Sequence, residues 1–207
     1  MRLLNSIIAL MIASKAMAFD ASEAFVNAPA NVFPLLDYNT RLDMVDYFNS
    51  GSSTASTNSL SGKSRITALS PDKVDIDMSD ASDYSVFLLP DGKDGAIGVI
   101  STVATPVADS NLRMFTSDWS NDITSKSFTA PTLTDWLTPA GKKNIDEVEA
   151  IVPFMTTSYA YNPSTKTLTV TNNTESFLTS DVYDTVRDYL LNTLTYKWDG
   201  KRFTLSK

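Results

Sequence analysis

A chain of 207 residues with 43% hydrophobic and 20% charged residues has ordinary globular composition, enough for one domain or two small ones. Lys and Arg number 17 against 24 Asp and Glu, a net charge of −7 with a sequence pI near 4.5, which repels a phosphate backbone and sets nucleic acid aside as a partner. The chain has no His and no Cys, which excludes an imidazole base, the Ser/His/Asp and Cys/His nucleophiles, thiolate zinc, disulfides and the usual haem or iron–sulfur ligation.

Residues 1–18, MRLLNSIIALMIASKAMA, have the layout of a cleaved export signal: a basic start at Arg2, an apolar stretch from Ile7 to Ala13, and the small residues Ala16 and Ala18 flanking Met17. Cleavage is expected after Ala18. The apolar run is about half the roughly 20 residues that cross a bilayer, so a signal is favoured over a span. No Cys follows the cleavage region, which excludes a lipoprotein anchor and predicts a soluble periplasmic or extracellular protein. Loss of Arg2 and Lys15 leaves 15 basic against 24 acidic residues, a charge of −9. Without disulfides, an ordinary hydrophobic core must hold the exported chain together.

From Phe33 to Gly51, Leu35, Tyr38, Leu42, Val45 and Phe48 recur at spacings of three and four, predicting a helix with one buried face, Pro34 in its first turn and Gly51 at its C-terminal cap. Asp37 precedes Arg41 by one turn in the favourable order. The serine-rich stretch that follows, SGSSTASTNSLSGKS, has almost no apolar anchor and reads as a mobile surface loop.

Beyond it the period changes to two. Arg65–Leu69, Lys73–Ser79, Tyr84–Leu89, Ala96–Thr105 and Leu112–Thr116 are rich in Val, Ile, Phe and Thr and are divided by turns such as SPD and PDGKDG. In KVDIDMS, Val74, Ile76 and Met78 face inward while Asp75, Asp77 and Ser79 face out. After APTLTDWLTPAGKK come a helical stretch at Ile145–Ile151, strands Phe154–Tyr161 and Thr167–Thr171, a helix capped by Thr179 or Ser180, and strands Leu194–Trp198 and Arg202–Leu205 around the hairpin signal Asp199-Gly200. The prediction is an α+β protein, an antiparallel meander and hairpins with helices packed on one side. Two lobes are expected, residues 19–120 and 143–207 joined by 121–142, with one continuous sheet as the alternative.

Several phrases in a fixed order, PLLDYNTRLDMVDYFNSG, SRITALSPDKVDIDMS, VFLLPDGKD, APTLTDWLTPAG, SYAYNPSTKTLTVTNNTESFL and LTYKWDGKRF, carry a resemblance. From about Phe33 onward the chain resembles a secreted Bacteroidales family of proteins of unknown function, of the DUF3256 type. The resemblance implies an exported protein of a Gram-negative bacterium and carries over no catalytic residues.

The acidic residues are 20 Asp and only 4 Glu, and Asp is foremost a turn and cap residue. Asp37-x-Asn39-x-Arg41 starts like a calcium loop but has Arg at the third ligand position. Asp75, Asp77, Asp80 and Asp83 are placed to converge at a strand end around a hard cation, or simply to alternate on a solvated face; no metal site is expected. Trp119, Trp136 and Trp198 each adjoin an Asp, namely Asp118, Asp135 and Asp199. An indole face beside a carboxylate suits a sugar, so Trp119, Trp136, Asp118 and Asp135 are the candidate ligand residues, although Trp is equally a core residue. Ser70-x-x-Lys73 matches one motif of penicillin-recognising enzymes but falls in a strand turn, without the partner motifs. Asn172-Asn173-Thr174 is formally a sequon, and Asp184-Thr185-Val186 matches a short bacterial O-glycosylation acceptor.

No catalytic set is complete, so no catalytic residue is assigned and no cofactor is expected. The leading expectation is a non-catalytic binding protein of the cell envelope, with an unidentified protein or glycan partner held in a cleft between lobes or on the sheet edge of the last hairpin. An Asp-based glycan hydrolase or glycan-binding module and a self-assembling subunit are the alternatives.

Overall fold

The computed structural model describes residues 20–89, 95–104 and 106–206. The expected export signal with Ala16 and Ala18, and most of the PDGKDG turn, lie outside those residues. The fold is α+β, with two separate antiparallel sheets of six and four strands.

It begins with a helix that the hydrophobic pattern does not announce, α1 (Ala21–Asn27). The Asp20 carboxylate caps it, accepting from the Glu23 N–H at 2.9 Å, and Ala21, Ala24 and Phe25 are fully enclosed. Seven residues are too few for a 3.6-residue period to show. The next helix, α2 (Tyr38–Asn49), starts later than expected, because Asp37 is its N-cap and accepts from the Thr40 N–H at 2.7 Å. Pro34 lies in the preceding turn. The later start rotates the buried face to Arg41, Met44 and Val45, with Phe48 partly covered, and leaves Tyr38 and Leu42 52% and 40% exposed.

The six-stranded sheet is a meander in chain order: β1 (Ser56–Thr57), β2 (Lys63–Ser70), β3 (Lys73–Ser79), β4 (Ser82–Leu89), β5 (Ala96–Ala104) and β6 (Ala108–Thr116). As the alternation requires, Val74, Ile76 and Met78 are buried. With Ile66, Val86, Ile97, Val99 and Phe115 they form the face on which α1 and α2 pack. The serine-rich segment is not a plain loop. Asn58, inside it, is buried and donates to Ser64 Oγ (3.1 Å) and the Met78 carbonyl (3.2 Å) while accepting from the Gly62 and Leu60 N–H groups (2.9 and 3.1 Å). One polar side chain thus replaces the apolar anchor that the segment lacks.

Residues 121–142 contain α3 (Thr124–Ser127) and α4 (Leu133–Trp136), followed by a 3-10 turn at Gly141–Lys143 and by α5 (Ile145–Ile151). The second sheet has the order β10-β9-β8-β7, from β7 (Thr157–Asn162), β8 (Thr167–Asn172), β9 (Thr193–Trp198) and β10 (Phe203–Leu205). Between β8 and β9 run α6 (Thr174–Phe177), α7 (Ser180–Val186) and a 3-10 turn at Arg187–Tyr189.

This second sheet does not enclose a core of its own. Its inner residues Tyr161, Leu168, Val170, Leu194, Tyr196, Trp198 and Phe203 join Trp136, Val148 and Val186 and close on the opposite face of the first sheet, against Phe87, Leu89, Ile100, Leu112 and Met114. At the contact, Phe87 stacks on Tyr161 with ring centroids 4.1 Å apart. Gly98 lies opposite Phe87 on β5, and a Cβ there would come within 2.1 Å of the ring, so only glycine lets the ring lie flat on the sheet. The segment 121–142 is part of the same core through Phe128, Trp136 and Leu137.

Candidate functional site

The four-stranded sheet covers only part of that opposite face. Where β7 crosses it, Tyr159, Ala160 and Tyr161 form one wall of a groove of about 260 Å³. Its floor is the outward side of β3 to β5: Lys73, Asp75 and Asp77, then Asp83 and Ser85, then Thr102. A second hollow of about 400 Å³ continues it past Lys63, Arg65 and Asp80, sharing Asp77 and Asp83. The alternation that buries Val74, Ile76 and Met78 puts these polar side chains on the other face, and the partial cover of the second sheet makes that face a groove.

Two of the carboxylates are neutralised. Lys73 Nζ lies 3.0 Å from Asp75, which also accepts from Ser85 Oγ at 2.7 Å. Arg65 grips Asp77 with Nε and Nη2, each at 2.8 Å. Asp83 sits directly across the strand pair from Asp77, and among the described residues it forms no ion pair. Partial burial and then the Asp77 charge raise its carboxyl above the ordinary range. Burial, and then Asp72, push the Tyr161 hydroxyl up to about 12. These groups offer anionic charge and hydroxyl or carbonyl oxygen to a ligand. Among the described residues no three carboxylates are grouped to hold a metal ion, so Asp75, Asp77, Asp80 and Asp83 do not converge as a cation cage.

The tryptophan–aspartate pairs are placed elsewhere. Trp136 is completely enclosed and Trp198 is 5% exposed, so neither presents an indole face to a sugar. Asp135 belongs to the capping box of α4, accepting from the Thr132 N–H at 2.7 Å. Trp119 has a left-handed backbone, φ 62°, and packs on Phe115 with centroids 5.0 Å apart. Asp118 accepts from Thr116 Oγ1 (2.6 Å), Ser120 Oγ (2.7 Å) and the Ser120 N–H (3.0 Å), and these bonds hold its carboxyl down to about 2. Asp199 accepts from the Lys201 and Arg202 N–H groups in the last hairpin turn. Turn and cap duties therefore occupy Asp118, Asp135 and Asp199, and the structure places none of these pairs in the groove.

The other motifs are equally local. Ser70 Oγ donates to the Lys73 carbonyl (3.3 Å), not to its amine. Asn173 donates to the Ala108 carbonyl at 2.7 Å, tying the two sheets together, and Thr174 is buried. Thr185 Oγ1, on the exposed side of α7, donates to the Val182 carbonyl at 2.7 Å. Sequence reasoning also missed Arg41. It is 3% exposed, its Nε and Nη1 are enclosed without a hydrogen-bond partner, and its guanidinium lies 5.7 Å from the centre of the Phe33 ring. Asp37, capping α2, forms no ion pair with it among the described residues.

A family model described as "Protein of unknown function (DUF3256)" matches residues 13–203, starting some twenty residues before the phrases that carry the resemblance. No curated protein matches the chain. Among solved structures, the chain is similar to one titled "Structure of a domain of an uncharacterized protein from Porphyromonas gingivalis W83", with a TM-score of 0.76 at 20% identity, over 88% of this chain and 97% of that one. At that identity the likeness establishes the shared fold. Among the described residues no helix is long and apolar enough to cross a membrane.

Proposed function

The chain belongs to the family described as Protein of unknown function (DUF3256), and from that premise we propose an exported protein of the cell envelope that acts by binding, through the groove between β7 and the outer side of β3 to β5. The observation that carries this reading is the groove itself: two connected hollows in which Asp75, Asp77, Asp83, Ser85 and Thr102 meet the edge of β7. The first eighteen residues support export, because their basic, apolar and small-residue zones follow one another in the order that signal peptidase requires.

Binding is favoured over hydrolysis by the state of the carboxylates. A glycosidase needs one carboxylic acid kept protonated by an apolar pocket, whereas no Asp is among the buried residues described. Assembly through the β10 edge of the four-stranded sheet or the β1–β2 edge of the six-stranded sheet is disfavoured because those two edges are blunted. The last strand, β10, has three residues, and β2 carries a bulge between Ile66 and Ala68 beside Arg65. The test is recovery from cell-envelope extract on immobilised protein, with a double variant Asp77→Asn and Asp83→Asn as control, together with N-terminal sequencing of the protein from fractionated cells. The expected results are a ligand retained by the wild type and lost by the double variant, and a chain beginning at Phe19 outside the cytoplasm. An intact Met1 in the cytosol, or identical recovery on both columns, would refute the reading.

A further inference from the structure

We propose that the groove takes an extended basic peptide as an added strand on the edge of β7. The proposal rests on the binding reading of the same groove and names its ligand class. β7 is the edge strand of the four-stranded sheet, and in an antiparallel pair alternate N–H groups point away from the neighbour. Here the Thr157 N–H donates outward to Asp109 Oδ1 and the Tyr159 N–H to Ser110 Oγ, each at 3.1 Å. Two side chains of β6 thus stand where the carbonyls of a fifth strand would be.

The same alternation turns the Tyr161 N–H outward, and among the described residues no side-chain oxygen takes that place. Tyr159, Ala160 and Tyr161 are the stretch of β7 that lines the groove. A strand laid along that edge projects every second side chain onto the floor of β3 and β4. What it meets there is acidic. Lys73 and Arg65 are committed to Asp75 and Asp77, while Asp83 and, in the adjoining hollow, Asp80 form no ion pair among the described residues. Lys or Arg side chains at alternate positions supply the missing cations, and backbone bonds to β7 supply affinity that does not depend on sequence. The aromatic rings of this wall are engaged inward: Tyr161 stacks on Phe87 and Tyr159 makes a T-shaped contact with Phe128.

The experiment titrates the protein at low salt with a terminally blocked hexapeptide of alternating Lys and Val, following backbone amide resonances. Saturable shifts centred on Tyr161, Asn162 and Asp83 are expected. Asp83→Asn, which keeps the size of the side chain and removes its charge, should weaken binding about threefold to fivefold. The same peptide, N-methylated at alternate residues with its charge unchanged, should not bind in the register that pairs with β7. Equal binding of the methylated peptide would reduce the effect to electrostatics and overturn strand addition, as would the absence of any shift at millimolar peptide. If envelope extract or a soluble oligosaccharide moves the groove resonances and the peptide does not, strand addition fails and the binding reading survives. If nothing moves them, both fail.

Discussion

Asn58 gives the sharpest test of how the N-terminal half is held. Its side chain makes four hydrogen bonds, two donated and two accepted, in a buried position between β1, β2 and β3. Asn58→Ala removes them all, but the Met78 carbonyl keeps the Ser64 hydroxyl at 2.6 Å, so the groups left without a partner are the Gly62 and Leu60 N–H groups. At about 0.5–1.5 kcal/mol for each net bond, with water reaching the two part-buried amides, the loss is about 3 kcal/mol. For a protein of this size that lowers Tm by about 6–12 °C, or the urea midpoint by about 1–1.5 M. Hydrogen exchange at Gly62 should accelerate at the same time. A loss below about 0.5 kcal/mol, with Gly62 exchange unchanged, would show that the serine-rich segment is not anchored through Asn58.

Gly98→Ala must drive the Phe87 ring off the sheet and break its stack on Tyr161; a loss of about 2–4 kcal/mol is expected in urea unfolding, and a change under about 1 kcal/mol would mean that the ring relocates freely. Arg41→Met should leave stability unchanged or raise it by about 1–3 kcal/mol, because an enclosed guanidinium whose Nε and Nη1 have no hydrogen-bond partner is replaced by a side chain of similar length; strong destabilisation would reveal a hydrogen-bond partner for Arg41 in solution. Asp83 has a folded-state pKa above its unfolded 3.8, so the folded state holds the proton more tightly and stability falls as pH rises through that window. Asp83→Asn should therefore be more stable than wild type at pH 7 and equal to it at pH 3, and a gap that persists at pH 3 would refute the assignment. Asp118 has the opposite sign: held at about 2, its contribution is present above 3.8 and disappears as pH falls towards 2, so Asp118→Asn should flatten the acid limb of the stability profile.

The strands were legible because their faces differ. Lys73–Ser79 is exact, and the ends of the other strands differ from the reading by a few residues, as for β6, which begins at Ala108 with polar residues that carry no alternation. The hairpin at Asp199-Gly200 was legible for the same local reason, with Gly200 at φ 105°. What lay hidden depends on partners distant in sequence. Nothing around Asn58 shows that Ser64 and Met78 will meet it, and the stripe through Tyr38 and Leu42 misleads because it counts from Leu35, before the cap at Asp37. The groove was half legible: the outward set Asp75, Asp77 and Asp83 follows from alternation, but the wall at Tyr159–Tyr161 comes from β7, some eighty residues on. Adjacency in the chain did not show that Trp136 would enter the core while Asp135 closes the capping box of α4.

The shared core under Phe87 and Tyr161 has a mechanical corollary. Since the four-stranded layer borrows its hydrophobic floor from the six-stranded one, the two cannot swing apart without exposing that floor to water. Among the described residues the two layers form no hinged jaws. Under the proposed binding function, a guest would meet walls already standing and lose little to reshaping them, so fit and not bending of the host would sort it.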